Sequence, residues 1–282
     1  MRTSSRARSR AGGILRVAVL TIVAVLVVGV PLWMVVVNSF KTQAEAAQLS
    51  LGLPEAWNVI QNYSAVIEQS RYPRSFLNSL FVTATSVALL FTVAAPAAWA
   101  FARSKARPMR VLYALAIIGV VLPPAVVPMV FLGRSVGLQG TLPALILFTL
   151  GLRVSLVVFL LTGFARGLPR ELEEAAYVDG ASKLRTFRSV VLPMMQPVIW
   201  SAFIITTVLV WNDFFGPMFL LTGEDNATLP LGLYRLSSGI AQATSWNSVF
   251  AHVVLVSLPL IILYVVVQRR IVEGVTAGAV KG

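Results

Sequence analysis

The chain has 282 residues, of which 57% are hydrophobic and only 12% charged, and its 23 Lys and Arg against 11 Asp and Glu give a net charge of +12. An ordinary soluble domain has about twice this charged fraction, and a disordered chain has far fewer apolar residues. The absence of cysteine excludes a disulfide framework, and a single histidine, His252, excludes a multi-histidine metal site. The basic excess alone is compatible with nucleic-acid binding.

Six apolar stretches are long enough to cross a bilayer core, which takes about 20 helical residues. The predicted helices cover residues 14–37, 76–102, 111–132, 142–164, 194–221 and 249–267. Pro123, Pro124 and Pro128 are expected to bend the third helix around a cavity. The first helix is too long for the apolar part of a signal peptide, so we interpret it as retained. The predicted fold class is therefore an all-α integral membrane protein with six transmembrane helices.

The connecting segments alternate in charge. Seventeen basic and five acidic residues lie on the side that holds both termini, whereas the other side carries five of each sign. The positive-inside rule places the basic side in the cytoplasm of a multi-pass cell-membrane protein. The predicted order is a basic cytoplasmic N-terminus (1–13), a membrane domain (14–268) and a cytoplasmic tail (269–282). The excess charge thus faces anionic lipid headgroups, which favours the bilayer as partner and argues against nucleic acid.

The long inner loop at residues 165–192, between the fourth and fifth helices, predicts a helix–turn–helix. Residues 171–178 are good helix formers with acids in the first turn, and Gly180 suits a left-handed helix stop. Ser182 can cap a second helix over 183–192, which the next proline ends. Small side chains beside carboxylates favour docking of a partner protein. The alternative, an amphipathic helix resting on lipid, fits four acidic residues poorly.

This loop resembles a known signature. The sequence EAAYVDGA (174–181), followed by a Phe and by LPMMQP (192–197), is similar to the signature loop of ABC-importer permeases. WNDFFGP (211–217) resembles the fifth-helix segment of the maltose-type carbohydrate-importer permeases, and the tail at 271–282 resembles the C-terminus of the same branch. The resemblance covers nearly the whole chain.

The resemblance implies one half of a sugar channel, for a di- or oligosaccharide. It implies a second homologous permease, two copies of a separate ATPase and an extracytoplasmic sugar-binding protein as partners. ATP and Mg would belong to the ATPase, and the sequence GxxxxGK[ST] does not occur in this chain. The implied ATPase-docking residues are Glu174, Ala175, Ala176, Asp179, Gly180 and Ala181. The implied tail contacts to the ATPase are Thr276, Gly278 and Lys281.

Ionisable residues at membrane depth are functional candidates. Trp211, Asn212 and Asp213 are candidates to line the sugar pathway, because aromatic faces and amides suit hydroxylated rings. The equally open alternative is that Asn212 and Asp213 fix a helix break. Arg153 either contacts substrate or pairs with Asp213.

A competing class is an intramembrane serine protease. Residues 133–137 match the pattern GxSxG, with Ser135 as nucleophile and His252 as base. The segment has no strand-to-helix elbow, and a protease leaves the inner-loop signature unexplained. A secondary transporter predicts internal repeats, which we do not find. We therefore expect a transport subunit and not an enzyme.

Overall fold

The computed structural model describes residues 13, 16–69, 71–238 and 245–279, without the side chains of residues 69 and 269–279. Within these residues the chain is helical, and its only β-type pairing is an isolated bridge between Gly140 and Leu221. The helices are α1 (Arg16–Asn38), α2 (Gln43–Ala46), α3 (Val59–Gln69), α4 (Tyr72–Arg103), α5 (Arg107–Ile118), α6 (Val126–Ser135), α7 (Leu142–Arg166), α8 (Glu171–Val178), α9 (Lys183–Met194), α10 (Gln196–Trp211), α11 (Phe215–Leu220), α12 (Leu229–Ser237) and α13 (Trp246–Ala279). The predicted all-α membrane class agrees with this architecture.

Four described helices are long and apolar enough to cross a membrane: α1, α4, α7 and the part of α13 up to Gln268. The number of candidate spans rises from four to five if α9 and α10, which meet at an angle of 72°, are counted together as one broken span. The six transmembrane helices that the sequence predicts are therefore not all present as single helices.

The predicted third helix, 111–132, is interrupted. It forms α5 and α6, and the connection between them carries the proline pair of the segment. Proline lacks a backbone N–H and disfavours helix at the residue before it, so two in succession end the helix and do not merely bend it. Gly119 ends α5 against α7, where a Cβ atom would collide with the Ser155 hydroxyl. With 12 residues, α5 is about 18 Å long, well short of a bilayer core.

The predicted fifth helix, 194–221, is also interrupted. The helix before it, α9, runs two residues past its predicted end at 192, and the sharp bend falls at Met195. Further along, α10 ends at Trp211, and α11 begins after a short break. Pro193 and Pro197 flank the bend. At the second break, the Asp213 side chain accepts a hydrogen bond from the first turn of α11.

The chain divides into two compact units, Met1–Tyr72 with Leu233–Leu258, and Pro73–Gly232 with Pro259–Gly282. In the first unit a buried polar network orders the loop after α1. Lys41 Nζ donates to the carbonyl of Ser50 at 2.8 Å. Asn62 Nδ2 donates to the backbone oxygens of Ser39 and Lys41, both at 2.8 Å. This long loop is thus a folded part of the unit.

The second unit has two apolar cores. One packs alanines of α4 against α7, α9 and Met195, so that the small side chains let these helices approach closely. The other packs Leu145 and Phe148 of α7 against Val210 and Leu220. The first core includes Phe187 and Val191 and so packs α9 against α4 and α7.

Asn78, a buried residue of α4, connects this helix to the loop before α12 in the second unit. Its Nδ2 donates to the carbonyls of Asp225 at 2.7 Å and Ala227 at 2.9 Å. We expect Asn78→Ala to destabilise the protein by about 1–3 kcal/mol, because both donors and the packed side chain are lost. The measurement is the thermal unfolding midpoint of the detergent-purified protein. Thr92→Ala, an exposed position of the same helix, is the control, and an equal shift in both variants would contradict the assignment.

Candidate functional site

The helical hairpin, defined here as α8 and α9 with their connection, is closed by a Schellman turn. Gly180 has φ +77°, a left-handed conformation that favours glycine. Its N–H donates to the Tyr177 carbonyl at 3.0 Å, and the Ala181 N–H donates to the Ala176 carbonyl at 2.9 Å. A Cβ atom on Gly180 would meet nothing within 4 Å. The glycine is therefore required by the backbone angle and not by crowding, as the sequence predicts.

The second helix of the hairpin begins where the sequence predicts. The Ser182 hydroxyl accepts from the Arg185 N–H at 3.4 Å, and the buried Thr186 hydroxyl donates to the Ser182 carbonyl at 3.1 Å. Phe187 turns inward and stacks on Trp99 of α4, with ring centroids 5.5 Å apart and planes 29° apart. This ring contact fixes α9 on α4.

Glu173 anchors the first helix of the hairpin to the same part of α4. Its side chain is only 8% exposed. Oε1 accepts from Arg103 Nε at 2.8 Å and lies 2.7 Å from Arg103 Nη2, while Oε2 accepts from Trp99 Nε1 at 3.0 Å. Arg103 Nη2 also donates to the Leu168 carbonyl at 3.0 Å. Both carboxylate oxygens are thus paired, as a buried charge requires.

The opposite side of the hairpin is exposed. Of the candidate docking residues, four are exposed and two are partly exposed. The exposed ones are Glu174, Ala175, Asp179 and Gly180, and the partly exposed ones are Ala176 and Ala181. The structure therefore brings all six to one turn and leaves them accessible to a partner.

Two apolar side chains and one buried acid were missed from the sequence. Val178 is 87% exposed and Leu184 58% exposed, at the ends of the two helices that face the turn. Exposed apolar side chains beside small residues are typical of a protein-binding surface. The sequence could have identified Val178 as a docking residue, because it directly precedes the candidate docking residue Asp179. Nothing local distinguished the buried Glu173 from the exposed Glu174.

The candidate pathway residues surround the break between α10 and α11. Trp211 is buried, with its ring edge-on to Phe76 at 6.1 Å. Asn212 is exposed, and its Nδ2 donates to the Val208 carbonyl at 2.9 Å. Asp213 Oδ1 accepts from the Gly216 N–H at 3.3 Å and so caps α11. These bonds are those expected if Asn212 and Asp213 fix the helix break.

Arg153 attracts the Asp213 carboxylate electrostatically, but among the described residues the two form no direct salt bridge. Asp213 and Trp211 line a cavity of about 10 Å³, which is the size of one water and far too small for a sugar. Trp211 also lines a larger cavity of about 800 Å³, whose walls are almost entirely apolar.

The remaining candidates are the tail residues and the two residues of the protease alternative. The backbone of α13 is helical through Thr276 and Gly278, whose side-chain surroundings, like Lys281 as a whole, lie outside the described residues. The Ser135 hydroxyl donates to the Leu132 carbonyl of its own helix at 2.8 Å. His252 is fully buried, with its ring edge-on to Tyr72 at 5.7 Å. This local bonding does not favour Ser135 as a nucleophile.

A family model described as "binding-protein-dependent transport system inner membrane component" matches residues 91–277. The diacetylchitobiose uptake system permease protein of Streptomyces coelicolor is 31% identical over 266 residues, which cover 94% of this chain and 87% of that protein. A probable starch degradation products transport system permease protein of Thermoanaerobacterium thermosulfurigenes is 30% identical, covering 89% of this chain and 91% of that one.

Among solved structures, a chain of a bacterial ABC transporter involved in the import of the polysaccharide alginate superposes with a TM-score of 0.80. It is 22% identical and the match covers 93% of this chain and 97% of that one, so the likeness concerns the fold. The relatives are transport permeases, and the intramembrane protease alternative is therefore wrong.

Glu173→Gln is expected to loosen the hairpin, because it leaves the Arg103 guanidinium without its counter-charge. Breaking a buried pair of this kind costs about 3 kcal/mol. The measurement is hydrogen exchange of peptides from α8 and α9, which should lose protection. Glu174→Gln removes the same charge from the adjacent exposed position and should change little. Equal exchange in both variants would show that Glu173 is not an anchor.

Proposed function

The chain belongs to the family of binding-protein-dependent transport system inner membrane components, and we propose that it is a permease subunit that imports a di- or oligosaccharide through an ATP-binding-cassette transporter. Relatives named for the uptake of diacetylchitobiose and of starch degradation products support a sugar cargo. The observation that carries the coupling part of the proposal is the hairpin, which is anchored on one side and exposed, small and partly apolar on the other.

We propose six membrane crossings with both termini in the cytoplasm of a cell-membrane protein. The basic excess on one side supports this orientation. In this arrangement α5 and α6 together make the third crossing, and α10 with α11 makes the fifth. Broken helices at membrane depth are tolerated where protein or a cavity covers the freed backbone groups.

In the proposed cycle, the hairpin docks in a cleft of a separate ATPase. Two ATPase copies, a second homologous permease and an extracytoplasmic sugar-binding protein complete the importer, and ATP and Mg are bound by the ATPases. Val178 and Leu184 bury apolar surface at this contact, and the acids at 174 and 179 meet basic groups. Thr276, Gly278 and Lys281 of the tail add a second contact.

The geometry provides a route from the hairpin to the membrane helices. Closure of the ATPases moves the hairpin, and Glu173 and Phe187 oblige α4 to move with it, since both contact the end of this helix. The bend at Met195 passes the same displacement to α10. We propose that these two helices open the pathway outward to receive sugar.

Gly180→Leu tests the docking surface. The variant should insert in the membrane but lose copurifying ATPase and sugar uptake, because a bulky side chain fills the space that the partner needs. Gly223→Leu is the matched control, since Gly223 has a similar φ of +76° and nothing within 4 Å of its Cβ position. Both variants pay a similar backbone strain. Normal uptake with Gly180→Leu, or equal losses in both, would contradict docking at the hairpin.

Substitutions of Asp213 distinguish a role in the sugar pathway from a role in capping α11. Its proposed neighbours in the pathway are Trp211, Asn212 and Arg153. Asparagine can still accept the Gly216 N–H, whereas alanine cannot. If the carboxylate acts on sugar, Asp213→Asn alters initial uptake rates across a panel of labelled di- and oligosaccharides while the thermal midpoint stays unchanged. An unchanged sugar profile for Asp213→Asn, together with a lower midpoint for Asp213→Ala, would assign Asp213 to the helix break alone.

A further inference from the structure

A basic pocket lies where the end of α4, the start of α5 and the end of α7 meet. Its volume is about 470 Å³. The four cationic residues that line it are Lys105, Arg110, Arg166 and Arg170. None of its lining residues is acidic, and none of the four cations forms an ion pair with a described residue. The pocket thus concentrates four positive charges that the described part of the chain does not neutralise.

Apart from Ser104, the rest of the lining is apolar or aromatic, and through Met109 the pocket borders an exposed face of α5. Phe101 and Tyr113 pack ring against ring at its wall, with centroids 5.5 Å apart, and the Arg166 guanidinium lies 4.6 Å from the Tyr113 ring centre. Beyond it, α5 buries none of its residues, and Leu112 and Leu115 are exposed. Leu112 lies one turn from Met109, which lines the pocket, and Leu115 lies one turn further along the same stripe of α5.

We infer that this pocket binds the phosphate headgroup of an acidic phospholipid whose acyl chains run along the exposed face of α5. Guanidinium groups bind phosphate oxygens in a forked geometry, and basic pockets at the ends of membrane helices bind acidic headgroups. Its volume is within the roughly 300–1,000 Å³ of ligand sites. The adjoining apolar face favours a lipid over a soluble anion, since a free phosphate gains nothing from it.

This site is independent of the cargo that the permease carries, and it adjoins the hairpin. Arg170 is the residue that precedes α8. A headgroup held by Arg170 and Arg166 therefore joins the end of α7 to the start of the hairpin. The lipid would add a contact at the opposite end of α8 from its Schellman turn.

The test is retention of phosphatidylglycerol against phosphatidylcholine by the full-length chain, purified with its associated subunits, delipidated and examined by native mass spectrometry. Wild type should retain phosphatidylglycerol preferentially. Arg110→Gln/Arg166→Gln should bind it about tenfold or more weakly, because two charges and their hydrogen bonds to the phosphate are lost. Arg110→Gln alone keeps the Arg166–Tyr113 stacking and should show an intermediate loss.

The control is Arg107→Gln/Arg188→Gln, which removes two charges that do not line the pocket and should behave as wild type. Unchanged retention in Arg110→Gln/Arg166→Gln would overturn the proposal. An equal loss in the control would also overturn it, because it would show attraction by overall surface charge. Competition arms use glycerol 3-phosphate and inorganic phosphate. Displacement of the lipid by either at equal phosphate concentration would instead indicate a soluble-anion site.

Discussion

One buried carboxylate determines where the hairpin sits. Glu173 loses its hydration when α8 packs on α4, and a charge removed from water is tolerated only with a counter-charge and hydrogen bonds. Arg103 and Trp99 provide both, and they lie one turn apart at the end of α4. A shift of α8 along α4 by one turn would separate the carboxylate from at least one of these donors. The position of the hairpin is therefore fixed in a way that apolar contact alone would not achieve.

Trp99 is the residue that both helices of the hairpin share. It donates to Glu173 of α8 and stacks on Phe187 of α9. Two contacts of different kinds, one polar and one aromatic, attach the two helices of the hairpin to the same side chain of α4. The exposed turn at Gly180 faces away from these contacts and is available to a partner. In the proposed importer, this division lets force applied at the turn reach the membrane helices without deforming the hairpin itself.

The features that could be predicted from sequence depend on neighbouring residues. The Ser182 cap and the Gly180 stop each involve hydrogen bonds within five residues along the chain, so the local pattern contains all the information needed. Glu173 was missed because its partners lie 70 and 74 residues away. The break between α5 and α6 was underestimated for a related reason. The prolines were visible in the sequence, but the close approach of Gly119 to Ser155 is between two separate helices.

In the proposed importer, the basic residues at this end of the membrane helices have two roles. Arg103 forms a salt bridge with Glu173, so the charges of these two residues neutralise each other. Lys105, Arg110, Arg166 and Arg170 remain around one cavity, where like charges repel one another and destabilise the packed helix ends. A structure with such a cluster is stabilised by an external anion, and in a bilayer the most abundant anion at that depth is a lipid phosphate. In the proposed arrangement, the positive charge that orients the chain therefore also binds the surrounding membrane.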